Sequence, residues 1–404
     1  MFTSCVLTII LIAIAIFAAL YMAWSIGAND VANSMATAVG AKAISLRQAI
    51  IIASILNVCG AVLVGKHVTS TIQGNIVETS LLTDHSQILG FLSALLAAGI
   101  FVTIATWKEL PVSTTHGVIG GVIGFGLIEG GIELVKWNSV GKVAASWVLS
   151  PVAGAVIAFI MFKIIAYCVF GTKNPVKNAK KIGPVFIVLT IFIIFISIFS
   201  KTKAGEMLNY TWEEYILLSF FISFMVGVFG FLVLKKITGK GYDLVERLFR
   251  RLQVMTSCYV AFSHGANDVA NAIAPASVVL MLSWGKIDTV YLLLLGGVGI
   301  AIGITTWGYK VIRTVGEKIT VLTNTRGFSI DFGAATVVLF ASKLGLPIST
   351  SHTVVGAVIG VGLARGLEAV DLSVIKKIIY SWTLTLPATI FLAIVIYKGL
   401  QIIF

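Results

Sequence analysis

The chain has 404 residues, of which 58% are hydrophobic and only 11% are charged, and its mean hydropathy is +1.02. A water-soluble domain could not bury this much apolar surface, so the composition excludes a soluble protein and predicts one embedded in a lipid bilayer. The net charge of +12 does not indicate nucleic acid as a partner, because the Lys and Arg residues lie in short loops between apolar runs, where positive charge usually faces the cytoplasm.

Seven apolar runs are each near or above the roughly 17 residues that a membrane-spanning helix requires. They cover residues 6–24, 48–64, 143–170, 184–199, 215–234, 289–307 and 373–397. The first run has no Lys or Arg before it and continues into polar residues without a cleavage pattern, so we interpret it as a retained helix and not as a signal peptide.

Three motifs occur twice, in the same order. The heptad GANDVAN at residues 27–33 returns unchanged at 265–271. Two further motifs follow each heptad at nearly constant spacing: PVSTTH at 111–116 and PISTSH at 347–352, then SWVLSP at 146–151 and SWTLTLP at 381–387. We therefore divide the chain into a first repeat (1–170), a middle section with two connecting spans (171–250) and a second repeat (251–404).

The basic residues of the middle section orient it in the membrane. They form two loop clusters, at Lys173, Lys177, Lys180 and Lys181 and at Lys235, Lys236, Lys240, Arg247, Arg250 and Arg251. Both loops should be cytoplasmic, and the acidic-leaning segment 201–214 between the two spans should be external. The first repeat then ends inside and the second begins inside. If each repeat crosses the membrane an odd number of times, the two are antiparallel and both termini are external.

The apolar run 88–127 would measure about 60 Å as one helix. Pro111 interrupts it, and the Ser-Thr-Thr that follows is typical of a helix N-cap, so we predict two short helices that meet at a tip. The second repeat has an equivalent hairpin over 330–363 with its tip near Pro347. The predicted fold is an all-α polytopic membrane protein with about 12 helical segments, built as two inverted-topology repeats with broken helices and re-entrant helical hairpins.

Each heptad places Asn and Asp two and three residues after Gly. This pattern predicts a helix that is interrupted and restarted within the bilayer, leaving free carbonyl groups that suit a cation such as sodium and free N–H groups that suit an anion. Asp30 and Asp268 would each cost several kcal/mol if ionised and unpaired at that depth, so each needs a cation or a proton. The alternative is that these residues only cap and pack a broken helix.

The two Pro-x-Ser-Thr tips offer hydroxyl groups together with the first free N–H groups of the following helix. Such a tip is a neutral cradle for an anion, although ordinary helix capping is the alternative. His116 and His352, which end the two motifs, could relay protons or could bond to a neighbouring backbone carbonyl. Lys108 and Lys343 stand near the two prolines at non-equivalent positions, and their role stays open.

The paired stretches GANDVANSMATAVG and GANDVANAIAPASVV, with LPVSTTHGVIGG and LPISTSHTVVGA, resemble the inorganic phosphate transporter family over essentially the whole chain. The resemblance implies ion-coupled uptake of inorganic phosphate by a protein that is a homodimer in the membrane and uses no cofactor. It also implies sodium ions held at Asn29, Asp30, Asn33, Asn267, Asp268 and Asn271, and phosphate bound by Ser113, Thr114, Thr115, Ser349, Thr350, Ser351, Asp30 and Asp268.

Two departures from the family pattern stand out. Asp331 occupies a position where the family usually has Glu, which leaves its role open. The large hydrophilic central insertion of animal members is absent, with residues 235–250 in its place, which favours a multi-pass protein of a prokaryotic plasma (inner) membrane.

Several other functions compete with sodium-coupled phosphate uptake. Proton coupling and transport of a related oxyanion such as sulfate stay open, as does a passive channel. An intramembrane enzyme is disfavoured, because Ser113 and His116 belong to a duplicated motif whereas a nucleophilic site generally needs one asymmetric constellation. Phosphate at neutral pH still carries a proton that it can donate to a carboxylate, whereas sulfate carries no such proton. Asp30 or Asp268 is therefore our candidate for telling the two anions apart.

Overall fold

The computed structural model describes residues 2–74, 76–200, 205, 208–239, 241–285, 287–312, 323–366 and 372–404. These residues are almost entirely helical, and the only β-type pairing among them is one isolated bridge between Val77 and Val135. The α-helices, numbered in chain order, are α1 (Phe2–Gly40), α2 (Leu46–Val64), α3 (Lys66–Gly74), α4 (Asp84–Trp107), α5 (Thr114–Gly130), α6 (Trp137–Ile165), α7 (Pro175–Phe199), α8 (Trp212–Lys236), α9 (Gly241–Ser283), α10 (Thr289–Thr306), α11 (Asn324–Lys343), α12 (Thr350–Arg365) and α13 (Leu372–Ile403).

Nine helices within the described ranges are long and apolar enough to cross a membrane. The prediction of an all-α polytopic membrane protein is therefore confirmed. The helices differ greatly in how much of their surface the protein itself covers: the most apolar window of α9 is 89% buried, whereas that of α8 is 17% buried. Helix α9 thus lies in the core, and α8 presents exposed rings such as Phe220, Phe221 and Phe224 at the periphery, where lipid can solvate them.

The two helices that carry the heptads are continuous. Helix α1 has 39 residues and α9 has 43, so each is about 60 Å long, roughly twice the thickness of the hydrocarbon core. Neither is interrupted at its heptad. The predicted helix break at these two places is therefore wrong, although the breaks predicted at the hairpin tips are present.

The heptad glycines have a packing role within the continuous helices. A Cβ atom on Gly27 would overlap the carbonyl oxygen of Ile300 in α10, and one on Gly265 would overlap that of Asn57 in α2. Each glycine therefore lets two backbones approach closely at a helix crossing, which is the usual role of small residues between membrane helices. The Asn and Asp side chains that follow bond to other helices and do not cap their own backbone.

The two repeats exchange contacts. Helix α1 packs on α10 of the second repeat, and α9 packs on α2 of the first. The same exchange joins α6 to α12 and α13 to α5. Because each repeat buries its apolar faces against the other, the described residues form one interlocked core.

Both hairpins are present as predicted. Helix α4 ends at Trp107 and α5 begins after Ser113, and in the second repeat α11 ends at Lys343 and α12 begins after Ser349. The connecting loops share one backbone feature: Glu109 and Gly345, each two residues before the tip proline, both have positive φ, at 57° and 70°.

Candidate functional site

The first residue of each Asn-Asp-x-x-Asn cluster holds the hairpin loop of its own repeat. The Asn29 amide donates to Thr106 Oγ1 (2.9 Å) and to the Leu110 carbonyl (3.1 Å). The Val112 N–H in turn donates to the amide oxygen of Asn29 (3.3 Å). A single buried side chain thereby ties helix α1 to the end of α4 and to the tip of the first hairpin.

Asn267 repeats this arrangement on the second hairpin. Its amide donates to the Ile348 carbonyl (2.9 Å), and its oxygen accepts from Ser342 Oγ (3.4 Å). Thr106 and Ser342 each stand five residues before the tip proline. This shared spacing is a signal in the sequence, although we did not select either residue from the sequence alone.

The two aspartates bind a threonine of their own hairpin. Thr114 Oγ1 donates to Asp30 Oδ2 (2.8 Å), and Thr350 Oγ1 donates to Asp268 Oδ2 (2.9 Å). Both aspartates are at most 1% exposed. The residues predicted at the heptads and at the tips therefore meet in the interior of the protein.

The last residue of each cluster reaches the opposite hairpin. The Asn33 amide donates to Ser351 Oγ (2.8 Å), and the Asn271 amide donates to Thr115 Oγ1 (3.1 Å). These contacts join residues that are 318 and 156 positions apart. They make one centre out of the two clusters.

The hairpin tips also bond directly to each other. Thr115 Oγ1 donates to the Ile348 carbonyl and Ser351 Oγ donates to the Val112 carbonyl, both at 3.1 Å. The N-termini of α5 and α12 therefore meet at the centre. Helix N-termini carry partial positive charge and free N–H groups, so their convergence favours an anion.

Ser113 and Ser349 act as helix caps. Ser113 Oγ accepts the His116 N–H (3.2 Å), and Ser349 Oγ accepts the His352 N–H (3.3 Å). The capping alternative thus describes these two residues, while the other four tip hydroxyls bond to an aspartate or to the opposite tip. All six candidate hydroxyl residues are buried.

Two oxygens at the centre lack a hydrogen-bond donor among the described residues. They are Asp30 Oδ1 and Asn271 Oδ1. Their side chains share a neighbour, since Thr114 Oγ1 lies 2.8 Å from Asp30 Oδ2 and 3.4 Å from Asn271 Nδ2. Unpartnered buried carboxylate and amide oxygens are costly, and oxygen atoms of this kind are the ligands that hard cations prefer. The residues present therefore fit sodium.

His264 joins the site without a counterpart in the first repeat, which has Ile26 at the equivalent position. Its Nε2 lies 2.8 Å from Asp268 Oδ2 and 4.0 Å from Asp30 Oδ2. Its Nδ1 lies 2.5 Å from the side-chain oxygen of Asn57, another residue that we did not select. The position of His264 four residues before Asp268 on one helix was the available signal.

His116 and His352 lie together in an aromatic cluster beside the helix caps. Their ring centroids are 4.5 Å apart, and each ring packs on a tryptophan of a Ser-Trp motif: His116 on Trp147 (3.8 Å) and His352 on Trp382 (3.6 Å). Nδ1 of His352 lies 3.4 Å from the Trp147 carbonyl, in agreement with the interpretation that a backbone carbonyl binds this ring.

Lys108, Lys343 and Asp331 lie apart from the contacts just described. Lys108 is exposed at the end of α4, and Lys343 donates to the Ser200 carbonyl. Asp331 is buried on α11, where Oδ1 accepts from Thr37 Oγ1 (2.7 Å) and Oδ2 accepts from Ser257 Oγ (2.6 Å). Its carboxylate therefore joins α11 to the two heptad helices.

The model of the phosphate transporter family matches residues 26–393, a range that includes every residue of this centre. A Pyrococcus furiosus protein that carries the provisional name of a phosphate permease is 48% identical over 395 residues, which cover 95% of this chain and 94% of the relative. An Arabidopsis thaliana protein named inorganic phosphate transporter 2-1, chloroplastic, is 40% identical over 419 residues, covering 93% of this chain and 70% of that protein.

One solved structure is similar along the whole chain. It is described as the sodium-dependent phosphate transporter, and it superposes with a TM-score of 0.91 at 48% sequence identity. The match covers 98% of this chain and all of the other. The two chains therefore share one fold along their length.

Proposed function

The chain belongs to the phosphate transporter family, and from that premise we propose that it imports inorganic phosphate together with sodium by alternating access. The family and the relatives are transporters and permeases, so the protein is a transporter and not an enzyme. The observation that carries the proposal is the interlocked centre, in which each Asn-Asp-x-x-Asn cluster bonds to both hairpin tips.

Phosphate is the substrate that this centre suits. The convergent N-termini of α5 and α12 supply N–H groups, and Thr114, Thr115, Thr350 and Ser351 supply hydroxyls, with Ser113 and Ser349 fixing the helix starts. Asp30 and Asp268 can accept the hydrogen bond that a protonated phosphate oxygen donates. Sulfate has no such proton, so it meets only repulsion from the two carboxylates.

Sodium is the coupling ion that the same residues suit. Two carboxylates and an anionic substrate within one buried volume repel one another strongly where water is scarce. They therefore require added positive charge. The ligands would come from Asn29, Asp30, Asn33, Asn267, Asp268 and Asn271, with the two unpartnered oxygens of Asp30 and Asn271 as the first contacts. Loading sodium first would thus prepare the centre for phosphate.

Alternating access follows from an inverted arrangement of residues 1–170 and 251–404, with 171–250 as connecting spans. The exchanged helix packing supports it, because equivalent helices of the two halves make equivalent contacts. We further propose that the protein is a homodimer in the plasma membrane, and that its two termini are external because the basic loops of the middle section remain in the cytoplasm.

One observation favours a second candidate, a proton in place of sodium. His264 lies between the two carboxylates and has no counterpart in the first repeat. An imidazole that faces two aspartates can carry a proton into a site that otherwise requires a cation. In this version Asp30, Asp268 and His264 take part in protonation, and the phosphate site is unchanged.

The deciding experiment is uptake of radiolabelled phosphate by purified protein in liposomes, with an imposed sodium gradient compared with an imposed proton gradient at equal membrane potential. We expect accumulation with sodium alone, and little competition from sulfate. Asp30→Asn and Asp268→Asn should each lower the sodium-driven rate on the order of 10- to 100-fold, since a lost interaction with a charged group is worth about 1.5–3 kcal/mol.

Glu133→Gln serves as the matched control, because it also removes one carboxylate but lies exposed between α5 and α6. It should leave uptake unchanged. Accumulation driven only by protons would replace sodium with the second candidate, equal competition by sulfate would contradict the role of the aspartates, and uptake in neither gradient would reject phosphate transport itself.

A further inference from the structure

A cavity of about 440 Å³ lies far from the centre, between the beginning of α2 and the beginning of α9. Three arginines, Arg247, Arg250 and Arg251, form its charged side. The other lining residues are mostly apolar, with Ile44, Ile52 and Val254 among them. A pocket lined by both a basic cluster and apolar side chains matches a ligand that has an anionic end and a hydrocarbon end.

Among the described residues, no carboxylate lies within 4.0 Å of any of the three guanidinium groups. Within the same part of the chain, the only hydrogen bond that these side chains make runs from Arg250 Nε–H to the Ala43 carbonyl (2.9 Å). Most of the donors of the arginines are therefore available, and a guanidinium fork binds phosphate oxygens in a bidentate manner.

Both helices change from polar to apolar at the level of the cavity. Helix α2 begins with a capping box between Ser45 and Gln48, and its next turns expose Ile51 (59%) and Ile55 (58%) to the surroundings of the protein. Helix α9 carries its last arginine at Arg251 and is apolar or buried along the turns that follow. This transition places the cavity where headgroups meet hydrocarbon, on the side of the membrane with the basic loops.

We propose that this cavity binds the headgroup of an anionic phospholipid, with the phosphate on the three arginines and the acyl chains along the exposed isoleucines of α2. Inorganic phosphate shares the charge chemistry, but it would gain nothing from the apolar walls, whereas a lipid buries its chains there. Basic pockets between helices on the cytoplasmic side are typical lipid sites. The proposal is independent of the transport function.

Occupation of the cavity would also stabilise the helix pair. Arg250 is bonded to Ala43, which closely follows the end of α1, so a ligand on the arginines lies at the junction between α1, α2 and α9. A ligand that binds only the folded state raises its stability in proportion to the logarithm of its concentration. Anionic lipid should therefore raise the melting temperature of the purified protein.

The test is native mass spectrometry of the purified full-length protein with phosphatidylglycerol, compared with zwitterionic phosphatidylcholine, together with thermal unfolding in the same detergent. We expect retained phosphatidylglycerol, a higher melting temperature with that lipid, and at least tenfold weaker binding of phosphatidylcholine. Arg247→Gln with Arg251→Gln, which leaves the Arg250 bond intact, should weaken phosphatidylglycerol binding at least tenfold. Val254→Trp should do the same by filling the cavity without any change of charge.

The matched control removes three exposed positive charges from the other basic cluster, just before α7 and in its first turns, through Lys173→Gln, Lys177→Gln and Lys181→Gln. It should bind phosphatidylglycerol like the parent protein. Equal binding by the arginine double variant, or by Val254→Trp, would overturn the proposal. Displacement of the lipid by millimolar inorganic phosphate would also overturn it, because the cavity would then be a free-phosphate site.

Discussion

Asp331 is the clearest single-residue feature outside the proposed binding centre. Both of its oxygens accept a hydroxyl hydrogen bond, one from Thr37 on α1 and one from Ser257 on α9. The positions that correspond to these three residues in the other repeat are Leu95, Pro275 and Ala19, which cannot form such a group. The network therefore exists at one end of the molecule only, and it fastens the two heptad helices together there.

This asymmetry predicts energetic coupling between Thr37 and Asp331. Thr37→Val leaves a buried carboxylate oxygen without its donor, so it should cost about 1–3 kcal/mol of unfolding free energy. Combining it with Asp331→Leu should cost less than the sum of the two single changes by roughly 1 kcal/mol or more, because the double variant leaves neither partner of the Thr37–Asp331 bond unpaired. The Ser257 hydroxyl loses its acceptor in Asp331→Leu with or without Thr37→Val, so this loss cancels in the cycle. Equilibrium unfolding of the purified protein in detergent measures this cycle.

Thr190→Val is the control for that cycle. Thr190 is equally buried, but it donates only to the Phe186 carbonyl of its own helix. Thr190→Val should therefore lower the unfolding free energy by less than Thr37→Val does, and its effect should add to that of Asp331→Leu. Strict additivity between Thr37→Val and Asp331→Leu would show that the network has no joint contribution.

At the scale of the helices, the two heptad glycines decide how closely the core packs. Gly27 faces the backbone of α10, and Gly265 faces that of α2. The partners repeat the pattern, because Gly303 of α10 faces the Trp24 carbonyl and Gly60 of α2 faces the Phe262 carbonyl. Each crossing thus has a glycine on both helices, which allows the backbones to touch.

Alanine at these glycines should separate the helices. Gly27→Ala and Gly265→Ala each place a methyl group against an immovable carbonyl, so we expect each to cost about 1–3 kcal/mol or more, in spite of the better helix propensity of alanine. Gly141→Ala is the control, because Gly141 is helical and a methyl group added there would have no other atom within 4 Å.

Thermal unfolding of the three variants tests whether the close helix crossings determine the packing. Gly141→Ala should be neutral or stabilising by up to about 1 kcal/mol. If Gly27→Ala and Gly265→Ala were stabilising as well, the glycines would be ordinary helix positions and the close crossings would not determine the packing.

At the scale of the whole molecule, the two hairpin tips form the contact between the halves of the centre. In the alternating access that we propose, the centre opens to each side of the membrane in turn, and we expect the contact between the tips to separate when it does. The tips meet through Thr115 with Ile348 and through Ser351 with Val112. These pairs are therefore suited to a cross-linking test.

Joining the tips covalently should stop transport. In a background without the four native cysteines, we expect Val112→Cys with Ser351→Cys to lose its remaining uptake after treatment with a short bis-methanethiosulfonate, which forms a disulfide with each thiol, and to regain it when these disulfides are reduced. Because Ser351 is a proposed phosphate ligand, the untreated double variant should show lowered uptake, and that lowered rate is the reference. Each single-cysteine variant is treated in parallel, so that the effect of one attached reagent is separated from the effect of the link. Full activity of the cross-linked protein would contradict movement of the tips.

The sequence alone determined much of this protein. Composition established the membrane environment, and the duplicated motifs placed the two clusters and both hairpins. Pro111 and Pro347 have no N–H to donate within a helix, and the serine two residues after each of them caps the next helix. The sequence also indicates a site that is only approximately two-fold, since Ser34 and Thr37 correspond to Ala272 and Pro275.

Only the tertiary structure decided the conformation and the partners of the heptads. Asn and Asp after Gly favour a helix cap in isolation, but here the glycine lies at a helix crossing and the polar side chains bond to hairpins more than 75 positions away in the chain. His264 gained its place in the same way, because Asp30 comes from another helix. Local residues set helix periods and caps, whereas the helices that become neighbours decide which polar groups each side chain meets.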